Sequence, residues 1–133
     1  MTISGLIAEA KAAAKNAYAP YSGFHVGAAL LTADGKVYRG CNIENAAFGP
    51  TVCAERTAIF HAVSEGDRDF TAIAIVGGAN GSFDKFCPPC GVCRQVMAEF
   101  CGPAFMIHLG RADGAVKTFK LGELLPEAFD MTD

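Results

Sequence analysis

The chain has 133 residues, of which 51% are hydrophobic, and its 11 basic and 14 acidic residues give a net charge of -3. This length suits one domain over residues 1–133, and the longest apolar run, residues 72–76, is too short to cross a bilayer. Lysine and arginine form no basic tract, which argues against nucleic acid as a partner because phosphate neutralisation needs a cationic patch. Since no leader of basic and then apolar residues opens the sequence, we expect a cytoplasmic protein with a small neutral substrate and no membrane contact.

The first third of the chain predicts a helix followed by an antiparallel pair of strands. Small apolar residues recur at helical spacing from Leu6 to Ala17, with Ser4 as the cap. Residues 24–32 and 36–41 are apolar, β-leaning runs joined through an Asp-Gly dipeptide, which is a strong hairpin signal.

The middle of the chain predicts a second helix, a buried strand and a third helix. Thr51 caps the second helix, and Gly66 ends it. Residues 70–76 are apolar throughout and predict a strand buried on both faces, followed by a glycine-rich loop over residues 77–82. The third helix covers residues 91–100.

The last part of the chain predicts a strand pair, residues 104–109 and 116–119, and a short helix over residues 121–125. The complete order is helix, two strands, helix, strand, helix, two strands, helix. This order predicts an α/β fold with a mixed sheet of about five strands layered with helices.

Three cysteines and one glutamate are the residues that carry chemistry. Cys53 begins the second helix, while Cys90 and Cys93 begin the third. Catalytic zinc takes three protein ligands and leaves a position for water, whereas structural zinc takes four. Glu55 lies about 200° around the helix from Cys53, so it need not bind the same metal and can face the water. The pattern matches the signature of zinc deaminases, in which the glutamate moves protons.

Three thiolates around Zn²⁺ leave a charge of -1, which opposes ionisation of the water. Arg56 can offset this charge by donating a hydrogen bond to a thiolate sulfur, and both ligand segments lie at helix N-termini, where free N–H groups favour thiolate. We hypothesise that Arg56 is a charge-neutralising residue beside the metal.

Four motifs and the C-terminal segment resemble the homotetrameric, zinc-dependent cytidine deaminases. The resemblance implies a three-layer α/β/α fold with one Zn²⁺ per subunit, bound by Cys53, Cys90 and Cys93. It also implies hydrolytic deamination of cytidine, and of deoxycytidine, with release of ammonia, in pyrimidine salvage. The matching segments are residues 21–28, 41–46, 53–58, 89–95 and 124–129.

The resemblance further implies a catalytic role for Glu55 and a set of substrate contacts. Asn42 and Glu44 hydrogen-bond the ribose hydroxyls, and Phe24 packs on the base. The carbonyl of Pro88 accepts from the amino group, and Phe129 stacks on the base in a neighbouring subunit's site. Phe48 stands where relatives often have tyrosine, which leaves the choice between ribose and deoxyribose open. The full substrate-binding set is Phe24, Asn42, Glu44, Ala54, Pro88 and Phe129.

Two other functions remain as alternatives. One is a deaminase of another aminonucleoside, such as blasticidin S, whose enzymes share the Cys-Ala-Glu and Pro-Cys-x-x-Cys core. The other is a non-catalytic zinc module in which Cys87 completes a four-thiolate shell. Cys87 is spaced from Cys90 as Cys90 is from Cys93, so a redox pair of Cys87 and Cys90 is also open. The remaining cysteines and the histidines are interpreted as structural: Cys41, Cys101, His25, His61 and His108.

Overall fold

The computed structural model describes residues 1–131, which form a five-stranded sheet and four helices. The strand order is β2-β1-β3-β4-β5, and every neighbouring pair is antiparallel except β3 with β4. No helix among these residues is long and apolar enough to span a membrane. The elements are α1 (Ile3–Ala14), β1 (Phe24–Thr32), β2 (Val37–Cys41), α2 (Ala54–Ser64), β3 (Phe70–Ala79), α3 (Gly91–Phe100), β4 (Met106–Gly110), β5 (Val116–Lys120) and α4 (Leu121–Leu124).

The helices cover both faces of the sheet, which confirms the three-layer α/β/α prediction. Successive side chains of a strand point to opposite faces. On β3, Ile73 and Ile75 therefore join the core formed with α2 and α3, whereas Ala72, Ala74 and Val76 join the core formed with α1. This double burial explains why the sequence of β3 is apolar without alternation.

Two glycines let the helices approach the sheet closely. A Cβ atom at Gly27 of β1 would lie 1.9 Å from the carbonyl oxygen of Ala10 in α1. A Cβ atom at Gly40 of β2 would lie 2.4 Å from the backbone nitrogen of Ala58 in α2. At both glycines the backbone of a strand therefore contacts the backbone of a helix. The contact at Gly40 fixes the distance between α2 and the sheet.

The predicted helix starts were wrong at both α1 and α2. Thr2, not Ser4, caps α1, because its hydroxyl accepts from the N–H of Gly5 at 3.0 Å. Cys53, not Thr51, is the N-cap of α2. The hydroxyl of Thr51 instead accepts from a loop N–H, that of Asn45, at 3.0 Å.

Two elements end at other residues than predicted. The first helix ends at Ala14, so Ala17 lies outside it. Strand β3 continues to Ala79, although residues 77–82 were predicted as a loop. Gly77 and Gly78 pair with β1, and this ladder outweighs the low strand propensity of glycine.

We predict that Gly40→Ala destabilises the fold, because the new methyl group has no space against the backbone of α2. Overpacking of this kind costs about 1 to 3 kcal/mol or more. Urea denaturation measures the change, with Gly102→Ala as the control, since a Cβ there meets no atom within 4 Å. Equal stability of the two variants would contradict the close approach of α2 to β2.

Candidate metal centre and active site

Three thiol groups meet where α2 and α3 begin. The ligand atoms of Cys53, Cys90 and Cys93 lie within 4.8 Å of one another, and the sulfurs of Cys53 and Cys90 are 3.7 Å apart. No other histidine, cysteine, aspartate or glutamate of residues 1–131 belongs to this group. We call these three residues the cysteine cluster.

The cysteine cluster fits zinc. Four ligands at the zinc–sulfur distance of about 2.3 Å in a tetrahedron place two sulfurs about 3.8 Å apart, close to the separation of Cys53 and Cys90. Both residues are helix N-caps without a side-chain hydrogen bond of the capping type, so the first turns of α2 and α3 offer N–H groups and positive dipole ends. These features favour thiolates, the form that binds metal.

Arg56 lies against the cysteine cluster. Its Nη2 donates to the sulfur of Cys53 at 3.4 Å, and its buried Nε has no hydrogen-bond partner among residues 1–131. A hydrogen bond from Cys93 and the guanidinium of Arg56 lower the pKa of Cys53 to about 5. The pKa of Cys93 is raised because its thiol donates that hydrogen bond and is buried. The geometry therefore places a positive charge beside the sulfur of Cys53.

Glu55 lies close to the cysteine cluster but is not part of it. It is the second residue of α2, and only 4% of its surface is exposed. Burial, together with the charge of Cys53, raises the pKa of Glu55 to about 7. A carboxyl group of this kind can both accept and release a proton near neutral pH.

Cys87 lies near Glu55 without joining the cysteine cluster. Its sulfur packs against β3, only 2.8 Å from where a Cβ of Gly77 would lie. Burial, aided by the charge of Glu55, raises the pKa of Cys87 to about 12. This placement argues against a four-thiolate zinc module.

The other predicted structural residues lie outside the cluster. Burial raises the pKa of Cys41, and it raises that of Cys101 to about 12, as suits small packing residues. His108 on β4 is buried, with its Nδ1 2.8 Å from the hydroxyl of Thr118. None of the three histidines belongs to the group of potential metal ligands found within residues 1–131.

Asn42 and Glu44 hold the loop that enters β1. The Oδ1 of Asn42 accepts from the N–H of Val26 at 2.9 Å, and its Nδ2 donates to the carbonyl of Phe24 at 2.7 Å. The carboxylate of Glu44 accepts from the N–H groups of Tyr21 and Ser22 at 2.9 and 3.1 Å, and from the hydroxyl of Ser22. The hydroxyl of Ser22 lowers the pKa of Glu44, which is therefore ionised.

The two predicted aromatic contacts are exposed, so neither belongs to the core of the described chain. Phe24 at the start of β1 is 40% exposed, and Phe129 after α4 is 68% exposed. Pro88 is exposed beside the buried Pro89, while Ala54 is buried at the first position of α2. Phe48 is exposed and lines a cavity of about 330 Å³ together with Glu44.

Sequence reasoning assigned no role to three residues that hold these parts in place. Ser22 orients Glu44, while Arg94 and Gln95 of α3 donate to the main-chain carbonyls of Leu124 and Phe129. All three belong to the recognised motifs, which was the only available signal. Their partners are 22 to 34 residues away along the chain, too far for a local pattern to reveal.

Known proteins with similar sequences and structures are cytidine deaminases. Residues 2–109 match the family model described as the cytidine and deoxycytidylate deaminase zinc-binding region. The chain is 50% identical over 133 residues to a cytidine deaminase of Sporosarcina psychrophila, covering 100% of this chain and 95% of that protein. It is 53% identical over 128 residues to a cytidine deaminase of Halalkalibacterium halodurans, covering 96% and 94%. The crystal structure of cytidine deaminase from Burkholderia pseudomallei matches with a TM-score of 0.90 and 51% identity, covering 97% of this chain and 100% of that chain.

Proposed function

Because the chain belongs to the cytidine and deoxycytidylate deaminase family and is a zinc-dependent cytidine deaminase, we propose that its catalytic centre is the cysteine cluster with Glu55 beside it. The observation that carries this assignment is the trio of sulfurs at zinc-ligand spacing. Three protein ligands leave one tetrahedral position for water. A buried carboxyl two residues from a ligand is suited to moving the protons of that water.

Glu55 acts as base and then as acid. When bound, zinc supplies a Lewis acid that lowers the pKa of a coordinated water. Glu55 takes a proton from the attacking water and delivers it to N3 of cytosine, which makes C4 electrophilic, and the water oxygen bonds to C4. Glu55 then moves the hydroxyl proton to the amino group, so the C4–N bond breaks, ammonia leaves and the C4 carbonyl of uridine forms. One carboxyl thus serves both halves of the reaction.

The ribose lies against Asn42 and Glu44 in this proposal. An ionised carboxylate offers about four acceptor sites, and three hydrogen bonds from the loop already engage Glu44. The remaining site accepts from a sugar hydroxyl, while the free N–H of the Asn42 amide donates to another. Cytidine can make both contacts. Deoxycytidine, which has one sugar hydroxyl fewer, can make part of them, and we propose it as a second substrate.

The base lies between the metal centre and aromatic side chains. Phe24 packs on the pyrimidine, and the buried main chain at Ala54 forms the floor beside Glu55. The carbonyl of Pro88 accepts from the amino group, a role open to proline because its carbonyl is intact. An apolar environment around the ring also strengthens each of these polar contacts.

We propose a homotetramer in which Phe129 of each subunit stacks on the base in a neighbour's site. Supporting this are large apolar side chains that the single chain leaves in solvent, among them Phe60 on α2 and Phe129 itself. The enzyme is a single domain over residues 1–133, acts in the cytoplasm in pyrimidine salvage, and needs neither nucleic acid nor a membrane.

We predict that Glu55→Gln lowers kcat about 10²- to 10⁴-fold, the usual contribution of a positioned acid or base. Zinc content should stay at the wild-type level because Glu55 is not among the metal ligands. Loss of cytidine absorbance and metal analysis measure both effects. Glu65→Gln, at the exposed end of the same helix, is the control and should keep wild-type activity. Wild-type turnover by Glu55→Gln would refute the assignment.

Subunit mixing tests whether Phe129 acts in a neighbour's site. Phe129→Ala alone should raise KM about 5- to 150-fold, the equivalent of one stacking contact. Tetramers assembled from Phe129→Ala and Glu55→Gln subunits should regain sites of wild-type KM, since an intact Glu55 then meets an intact Phe129. If mixed tetramers show only the sum of the two separate activities, Phe129 does not act across subunits.

A further inference from the structure

Arg94 of α3 joins the metal-binding loop to the C-terminal segment. Its Nε donates to the carbonyl of Pro89 at 2.8 Å, directly before the ligand Cys90. Its Nη1 donates to the carbonyl of Leu124 at 2.8 Å, at the end of α4. One planar guanidinium therefore fixes the distance between two segments that are 35 residues apart in the chain.

Gln95, the next residue of α3, holds the main chain of Phe129. Its Nε2 donates to the Phe129 carbonyl at 3.0 Å, while the Phe129 ring stays exposed. This segment contributes to a cavity of about 590 Å³, which is also lined by Ala98 and by residues 101–103. Gln95 thus holds the main chain of Phe129, while the Phe129 side chain remains largely accessible to solvent.

We infer that Gln95 is a positioning residue that sets where Phe129 is presented, and that Arg94 ties this placement to the metal-binding loop. The inference rests on the proposed role of Phe129 in substrate stacking. Cys90 is the N-cap of α3 and Cys93 lies within it, so one helix holds two metal ligands and the side chain that binds the main chain of Phe129.

The substitution Gln95→Met tests this inference, because glutamine and methionine have side chains of similar length and similar helix propensity. Gln95→Met removes the amide donor, and we expect KM for cytidine to rise about 2- to 10-fold, the effect of one neutral hydrogen bond. The kcat should change less than twofold and zinc content should be unchanged, because Glu55 and the metal ligands are untouched. Gln95→Lys, whose ammonium can donate to the same carbonyl, should restore KM.

The matched control is Glu99→Gln, one turn further along the exposed face of α3, which should keep the wild-type KM. The decisive measurement is a double-mutant cycle with Phe129→Ala. If Gln95 acts through Phe129, the double variant should have the KM of Phe129→Ala alone.

A wild-type KM in Gln95→Met, beside a raised KM in Phe129→Ala, would overturn the inference and leave the stacking role of Phe129 intact. Multiplied effects in the double variant would also overturn it, because Gln95 would then act through another group. A wild-type KM in Phe129→Ala would refute the proposed role of Phe129 itself and the inference with it.

Discussion

The convergence of two helix N-termini on one point governs the rest of the site. Cys53 and Cys90 occupy the N-cap positions of α2 and α3, and neither side chain makes a hydrogen bond of the capping type. The thiols take the place that a hydroxyl or carboxylate oxygen occupies at an ordinary cap, beside N–H groups that favour negative charge. A hydrogen bond from Cys93 and the nearby guanidinium of Arg56 lower the pKa of Cys53, which favours the thiolate form of this ligand. Glu55 lies two residues after Cys53, at the second position of α2, so the helix that holds a ligand also buries the carboxyl.

This convergence depends on how closely the helices approach the sheet. Gly40 brings the backbone of α2 onto β2, and Gly77 leaves space for the thiol of Cys87, which anchors the metal-binding loop at the end of β3. On the opposite face of the sheet, small residues of α1, β1 and β3 allow α1 to pack closely. At these points the backbone of a helix contacts the backbone of a strand. A change of side-chain rotamer cannot relieve such a contact, so the helix positions are fixed. Backbone packing away from the cysteine cluster therefore makes the site rigid.

The sequence predicted the order of elements, the three-layer fold and the metal-ligand set, because periodicity and cysteine spacing are local signals. It misplaced both helix caps, since Ser4 and Thr51 are good capping residues that lose to Thr2 and Cys53 only in the tertiary structure. It ended β3 too early because pairing with β1 carries the strand through two glycines. The contacts of Ser22 and Gln95 were beyond prediction, as each joins a side chain to a group brought near only by the folded chain.

X-ray absorption spectroscopy of the zinc-loaded enzyme tests the open metal position most directly. We expect three sulfur ligands at about 2.3 Å and one oxygen ligand at about 2.0 Å, both in the wild-type protein and in Cys87→Ser. A shell of four sulfurs in the wild-type protein that falls to three in Cys87→Ser would contradict the account, because no position would remain for the water that Glu55 deprotonates.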